Sequence, residues 1–302
     1  EPFQNFHEML SRVPTGNEQN INRLTGMDVI DGELFVNGVD HYDGGSDNTN
    51  TTFIVRNPSN LATSQISGFF DLEGAAHGAG WISKLPEKWE RIFSASYVYG
   101  YSSNYSINSR QSMGPSAFVY NLDNFANVDE ISGFIPAQRL LDFSLQAPLH
   151  EDLLNETLEN DIWTHMSFAV YGFVIPETDL YYVIGYSAGH ESGVGYKYQY
   201  EDGTTCPGYC PKDKNDIYNY YWIWDLNDLN KVMNGDIEPS EPRPIEYGVF
   251  ATPFIPQQTK NIITGADFNF ETNQLYILLS KADSEHNRYE SAPLVLLYNL
   301  MN

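Results

Sequence analysis

The sequence predicts an all-β fold, a β-propeller with four blades, occupying residues 1–302 as a single domain. Three observations lead there. Runs rich in Val, Ile, Phe and Tyr, separated by turn residues, dominate the chain, and helical periodicity is scarce. A unit of four such runs recurs along the sequence. Tight turns alternate with long polar connections inside each unit, as they do when four-stranded blades are arranged around an axis.

The first strand of the unit is marked by Leu24-Thr-Gly-Met-Asp and again by Ile263-Thr-Gly-Ala-Asp, each followed by a tight turn and an apolar second strand. Phe168 to Tyr186 has the same shape, with Pro176-Glu-Thr-Asp as its turn. Third strands follow at Phe53-Ile-Val-Arg-Asn-Pro, Phe118-Val-Tyr-Asn-Leu-Asp, Tyr221-Trp-Ile-Trp-Asp-Leu and Val295-Leu-Leu-Tyr-Asn-Leu. Fourth strands are expected over 64–72, 137–145 and 245–254, and units begin near 24, 77, 168 and 263. The second or third unit is long enough to contain a fifth blade. The last unit ends after its third strand, so an N-terminal strand over 6–12 is expected to close the ring and remove the open edge. Short helices are expected at 87–93, 149–159 and 226–233. A β-sandwich is the competing architecture.

In this topology the second-to-third-strand loops and the connections between blades open on one face. The loops are 40–51, 101–115, 187–217 and 281–293, and the connections include 73–77, 146–165 and 252–261. Long structured loops gathered on one face are where function concentrates. His41, His77, His150, His165, His190 and His286 all fall on them, and only His7 does not.

The 40 acidic and 16 basic residues give a formal net charge of −24. That argues against nucleic acid and against anionic membrane as partners, both of which need clustered Lys and Arg. It also disfavours a polyanionic ligand unless Arg110 and Arg288 cluster or a cation intervenes. With 21 Tyr, 17 Phe and 5 Trp the chain carries enough apolar area for a sizeable core. The given sequence opens Glu1-Pro2-Phe3, without Met or a basic leader, and has no run long enough for a membrane-spanning helix. The only cysteines, in Cys206-Pro-Gly-Tyr-Cys210, read first as a local disulfide and second as a zinc half-site that His190 could join. Asn50, Asn104 and Asn155 head N-glycosylation patterns. Together these features predict a secreted, extracellular protein.

The leading expectation is a glycan-interacting propeller, split evenly between a lyase or hydrolase and a binding module. Proton transfer would use His77, His190, Tyr42 and Arg110, because His and Tyr can serve as base and acid while Arg neutralises a uronate. A hydrolase would instead draw its two carboxylates from Asp40, Asp43, Asp71, Glu73 and Glu191. Ligand contacts would come from His41, Glu191, Tyr196, Tyr198 and Arg288, since Tyr stacks on sugar faces and bonds hydroxyls. Asp40, Asp43 and Asp47 offer oxygen ligands for calcium, the one cofactor the sequence suggests, although no EF-hand is present. HExxH, P-loop, GxGxxG and Gly-x-Ser-x-Gly patterns are absent. The runner-up is a non-catalytic structural or adhesive protein that forms homo-oligomers or filaments through its loops.

Gly189-His-Glu-Ser-Gly, the Cys206–Cys210 loop, Tyr221-Trp-Ile-Trp-Asp-Leu-Asn-Asp-Leu, Gly80-Trp-Ile-Ser-Lys-Leu-Pro and Met113-Gly-Pro-Ser-Ala-Phe resemble a group of secreted β-propeller proteins of unassigned function. A more distant architectural similarity is to propeller polysaccharide lyases such as ulvan lyases. That similarity implies a central cleft using His, Tyr and Arg, and it carries fold information more than activity.

Overall fold

The computed structural model describes residues 10–14, 16–41, 49–102, 112–126, 133–283, 285 and 291–300. Four main antiparallel sheets form a four-blade propeller. Blade 1 is β1 (Arg23–Ile30), β2 (Glu33–Val39), β3 (Asn50–Val55) and β4 (Ile66–Leu72). Blade 2 is β5 (Trp81–Lys84), β6 (Tyr97–Gly100), β7 (Ala117–Tyr120) and β9 (Gln138–Leu141). The two-residue β8 (Phe134–Ile135), from the same loop as β9, pairs in parallel with β4 and straps blade 2 to blade 1. Blade 3 is β10 (Phe168–Val174), β11 (Leu180–Ala188), β14 (Ile217–Asp225) and β15 (Glu246–Val249). Its inner loop carries a hairpin of β12 (Val194–Tyr196) and β13 (Tyr209–Pro211). Blade 4 is β16 (Ile263–Asn269), β17 (Gln274–Asp283) and β18 (Ala292–Asn299), three strands among the described residues.

The expected units and turns are therefore present, and the fourfold count holds. The expected closing strand over 6–12 falls mostly outside the described residues. Its described part, Leu10 to Arg12, is not strand, and Leu10 packs with Val13 and Ile21 against Val36, Phe53, Val55 and Phe69 of blade 1.

Two of the three expected helices form, α1 (Glu87–Phe93) and α3 (Leu226–Met233); a third, short helix is α2 (Asp123–Ala126). Asp225 caps α3 by accepting from the Asn227 amide at 2.8 Å, and Leu226, Leu229 and Val232 bury one face. Residues 149–159 are not helical. There, short polar side chains capture the backbone bonds a helix would need. Asp152 accepts from the amides of Glu156 and Thr157 at 3.0 and 2.9 Å, and Asn155 adopts φ +48°.

One detail of the inner strands positions the site. β1, β10 and β16 each carry a β-bulge near the start, with Thr25, Val170 and Thr264 as the extra residues. β5 has no bulge. Close packing at the axis requires glycine: a Cβ on Gly26 would come within 2.0 Å of the Gly80 carbonyl oxygen. The sheets between blades are sealed by aromatic cores. Ile30, Phe35, Ile54 and Phe70 of blade 1 pack with Tyr99, Phe118 and Tyr120 of blade 2. Trp81, Trp222, Phe173, Phe268 and Ile277 belong to one continuous core through blades 2, 3 and 4.

Candidate functional site

The starts of the four inner strands frame a hollow of about 250 Å³ on the long-loop face. Arg23, Leu24 and Thr25 of β1, Trp81 of β5, Phe168, Ala169 and Val170 of β10 and Thr264 of β16 line it, with Val39, His41 and Tyr101. All three bulge residues are in that lining. An extra residue at each of these points kinks the strand and lies in the lining of the hollow.

The walls are fixed from below and from the side. Trp81 is buried, and its indole N–H donates to the Tyr181 hydroxyl at 3.2 Å. Tyr101 meets Phe168 edge-on with ring centroids 6.2 Å apart, and Phe168 stacks on Tyr186 at 5.5 Å. The Ser102 hydroxyl accepts from the Ala169 amide at 2.6 Å and donates to the Ala169 carbonyl at 3.1 Å. Asn37, fully buried, donates to the Gly80 carbonyl at 2.9 Å and joins blade 1 to blade 2 beneath the opening. His41 is held through its backbone amide, which donates to Asn22 Oδ1 at 3.1 Å. Although the chain carries −24 charges, the lining contains an arginine and a histidine and no carboxylate among the described residues. A rigid aromatic wall beside a guanidinium and an imidazole can hold a small ligand with one apolar face and several hydroxyl or anionic oxygens.

Lower on the axis, Asp28 of β1 and Asp267 of β16 approach one another beside the Tyr171 hydroxyl, which lies 3.5 Å from Asp267 Oδ1. Burial, then the Asp267 charge, pushes the Asp28 carboxyl up to about 6.

Of the expected catalytic residues, His77 and His190 are described, and each is engaged by a different set of partners. Tyr42 and Arg110 lie outside the described residues, as do Arg288, Asp43, Asp47 and Asn104. His77 sits on a 3-10 turn (Ala75–His77), and its Nδ1 is 2.5 Å from Asp142, which also pairs with Arg139 at 3.2 Å. His190 is committed at both ring nitrogens, 2.7 Å from the Ser187 hydroxyl and 2.9 Å from the Asn160 carbonyl, and stacks on Tyr220. Burial depresses its protonation. His190 thus holds the 149–165 loop against blade 3. The Glu191 amide donates to buried Asp216, at 3.0 Å, in the same loop system.

Of the expected ligand residues that are described, only His41 lines the axial hollow. Tyr198 lines a separate hollow in the β12–β13 region with Tyr200, Asp202 and Lys214, and exposed Tyr196 packs on Tyr209 with ring centroids 5.1 Å apart. Asp40 accepts from Asn22 Nδ2 at 2.7 Å, and no cluster of three metal-ligating side chains occurs among the described residues. Cys206 and Cys210 form a disulfide, which removes the zinc half-site reading. Asn50 begins β3 and pairs with Asp71. Asn155 is fully buried, and its Nδ2 donates to the carbonyls of Gly189 and His190 at 2.9 and 2.8 Å. The folded chain therefore has no room for a glycan on Asn155.

Arg23, Trp81, Tyr101 and Phe168 were not among the residues expected from sequence. The shared Thr-Gly at 25–26 and 264–265 was the available signal, since the Thr of each pair is a bulge residue in the hollow.

No protein-family model matches this sequence, and the comparison with curated proteins gives no significant match. The resemblances drawn from sequence motifs thus stand on the propeller architecture alone.

Proposed function

We propose that this protein is a glycan-binding propeller whose axial hollow receives a single saccharide unit at the end or a branch of a chain. The observation that carries the reading is the lining: Tyr101 and Phe168 beside Arg23 and His41, with no carboxylate among the described residues. Aromatic faces cover the apolar side of a pyranose, and charged donors bind its hydroxyls or an acidic substituent. The volume of about 250 Å³ lies just below the usual range for small-molecule sites, which suits one unit rather than an extended segment. Binding is favoured over catalysis because His77 and His190, the histidines expected to move protons, are engaged by Asp142 and by Ser187 and Asn160. Secretion fits the Cys206–Cys210 disulfide.

The test is a panel of neutral, uronic and sulfated oligosaccharides, read by calorimetry and by absorbance at ~235 nm for unsaturated product. Arg23→Ala should weaken binding at least tenfold with an unchanged melting curve, as expected for a charged contact. Binding to no member of the panel, or binding indifferent to Arg23→Ala and His41→Ala, would sink the reading. Product formation would restore the enzyme.

A further inference from the structure

Beneath the hollow, each inner strand brings one oxygen-bearing side chain to the axis. Asp28 and Asp267 hold the same place in the repeat, three residues after the bulge threonine in Thr25-Gly-Met-Asp28 and Thr264-Gly-Ala-Asp267. β10 has Phe173 at that place. Tyr171, two residues earlier, donates its hydroxyl toward Asp267 Oδ1 at 3.5 Å while accepting from the Phe268 amide at 3.2 Å. Ser83 of β5 lies against the Tyr171 hydroxyl without the geometry of a hydrogen bond.

Two properties of this set go unanswered within the fold. The Asp28 and Asp267 carboxylates are close enough for the charge on one to oppose ionisation of the other, and neither makes an ion pair among the described residues. Ser83 is 2% exposed, and its hydroxyl has no hydrogen-bond partner. A buried hydroxyl without a partner carries a desolvation cost that native structures rarely retain. A proton shared by the carboxylates would ease their repulsion but leave the Ser83 oxygen as it is. A cation meets both needs, because it draws on the lone pairs of carboxylates and hydroxyls alike. It also has access, since Asp267 is exposed and Asp28 half-buried. The donors are all oxygen, with no histidine or cysteine, a set foreign to zinc. They come from four different strands, which suits the irregular shell of calcium better than the octahedron magnesium demands.

We propose that Asp28 and Asp267, with the hydroxyls of Ser83 and Tyr171, hold one calcium ion on the propeller axis, water completing its shell. The ion ties the inner strands of all four blades at one point and offsets two of the chain's negative charges. This site is separate from Asp40, whose carboxylate is bonded to Asn22 at the loop face.

The experiment uses the full chain, stripped of divalent ions by a chelator and titrated with calcium by calorimetry, with magnesium as the competing ion. One calcium per chain is expected, with a raised melting temperature and no displacement by an equal concentration of magnesium. Asp28→Asn and Asp267→Asn should each weaken calcium at least about tenfold, and Ser83→Ala by less. In chelator these three variants should melt at or above the parent, because each removes a repelling charge or an unpartnered hydroxyl; lost binding is then not lost folding. Asp40→Asn should bind calcium as the parent does. The proposal is overturned if the parent binds no calcium, or if binding survives Asp28→Asn and Asp267→Asn and is lost in Asp40→Asn. Displacement by equal magnesium would overturn the assignment to calcium. Calcium binding is read without saccharide, so failure here is distinguishable from failure of the binding proposal.

Discussion

Blade 4 presents two faces of one sheet to two different neighbours, and the contrast shows where this propeller is rigid. Toward blade 3, Leu275, Ile277 and Leu279 are buried, Phe268 stacks on Phe173 with centroids 5.0 Å apart, and the Phe268 amide donates to the Tyr171 hydroxyl at 3.2 Å. Toward blade 1, residues one step along the same strands leave Val295 and Leu297 largely exposed. The first face is apolar along its length, whereas the second sets Asp267, Gln274 and Asn299 beside Leu278, Val295 and Leu297. The first also meets aromatic side chains of matching depth, the contact that dispersion and desolvation both require.

Four outcomes sharpen or break this contrast, taken from the largest effect to the smallest. Phe173→Ala, in the sealed joint, should lower unfolding free energy by about 3–5 kcal/mol, the usual cost of emptying an aromatic core site, measured by urea denaturation. A cost near that of a surface substitution would mean the two joints are alike. Asn155→Ala should cost about 2–3 kcal/mol, because it leaves the Gly189 and His190 carbonyls without the donor they share. Hydrogen exchange should locate the loosening in 149–165 and 189–216.

Asp28→Asn should act in the opposite direction. With its carboxyl raised from 3.8 to about 6, Asp28 resists ionisation in the folded state. The stability held by its neutral form is full below about pH 4 and is lost as pH rises through about 6. The Asn variant removes that loss. It should be more stable than the parent by about 1–2 kcal/mol at pH 7, after allowance for partial solvent screening, and equal to it near pH 4. Urea melts at both pH values check the sign. Leu297→Ala, on the face turned away from blade 3, should cost no more than about 1 kcal/mol, since truncation of a half-covered side chain removes little buried area. A loss as large as that of Phe173→Ala would abolish the distinction between the joints.

The strand plan was legible because it depends on local information. Third strands such as Tyr221-Trp-Ile-Trp-Asp are continuous apolar runs bounded by polar residues, the Thr-Gly openings at 25 and 264 mark strand starts, and β14, β1 and β16 formed there. The helix expected over 149–159 failed for an equally local reason that pattern reading underweights. Its Asp152 and Asn155 are better partners for the loop backbone than a helix would be. The site was harder to read. Counting histidines on the loop face found His41 in the hollow but also His190, which is a loop fastener. The same residue type serves both purposes, and only the identity of its partners separates them. Trp81 and Phe168 escaped notice because they belong to strands, where large aromatics ordinarily mean core.

The three bulges carry a consequence of a different kind. Thr25, Val170 and Thr264 each add one residue to an inner strand without a matching residue in its partner. Each of the three also lines the hollow, so backbone count and lining chemistry are tied together at its entrance. Deleting a bulge residue removes a lining side chain and flips the faces of its strand neighbours, whereas exchanging Arg23 or His41 alters only what is held there. The entrance is therefore retuned by side-chain exchange far more readily than by a change in strand length.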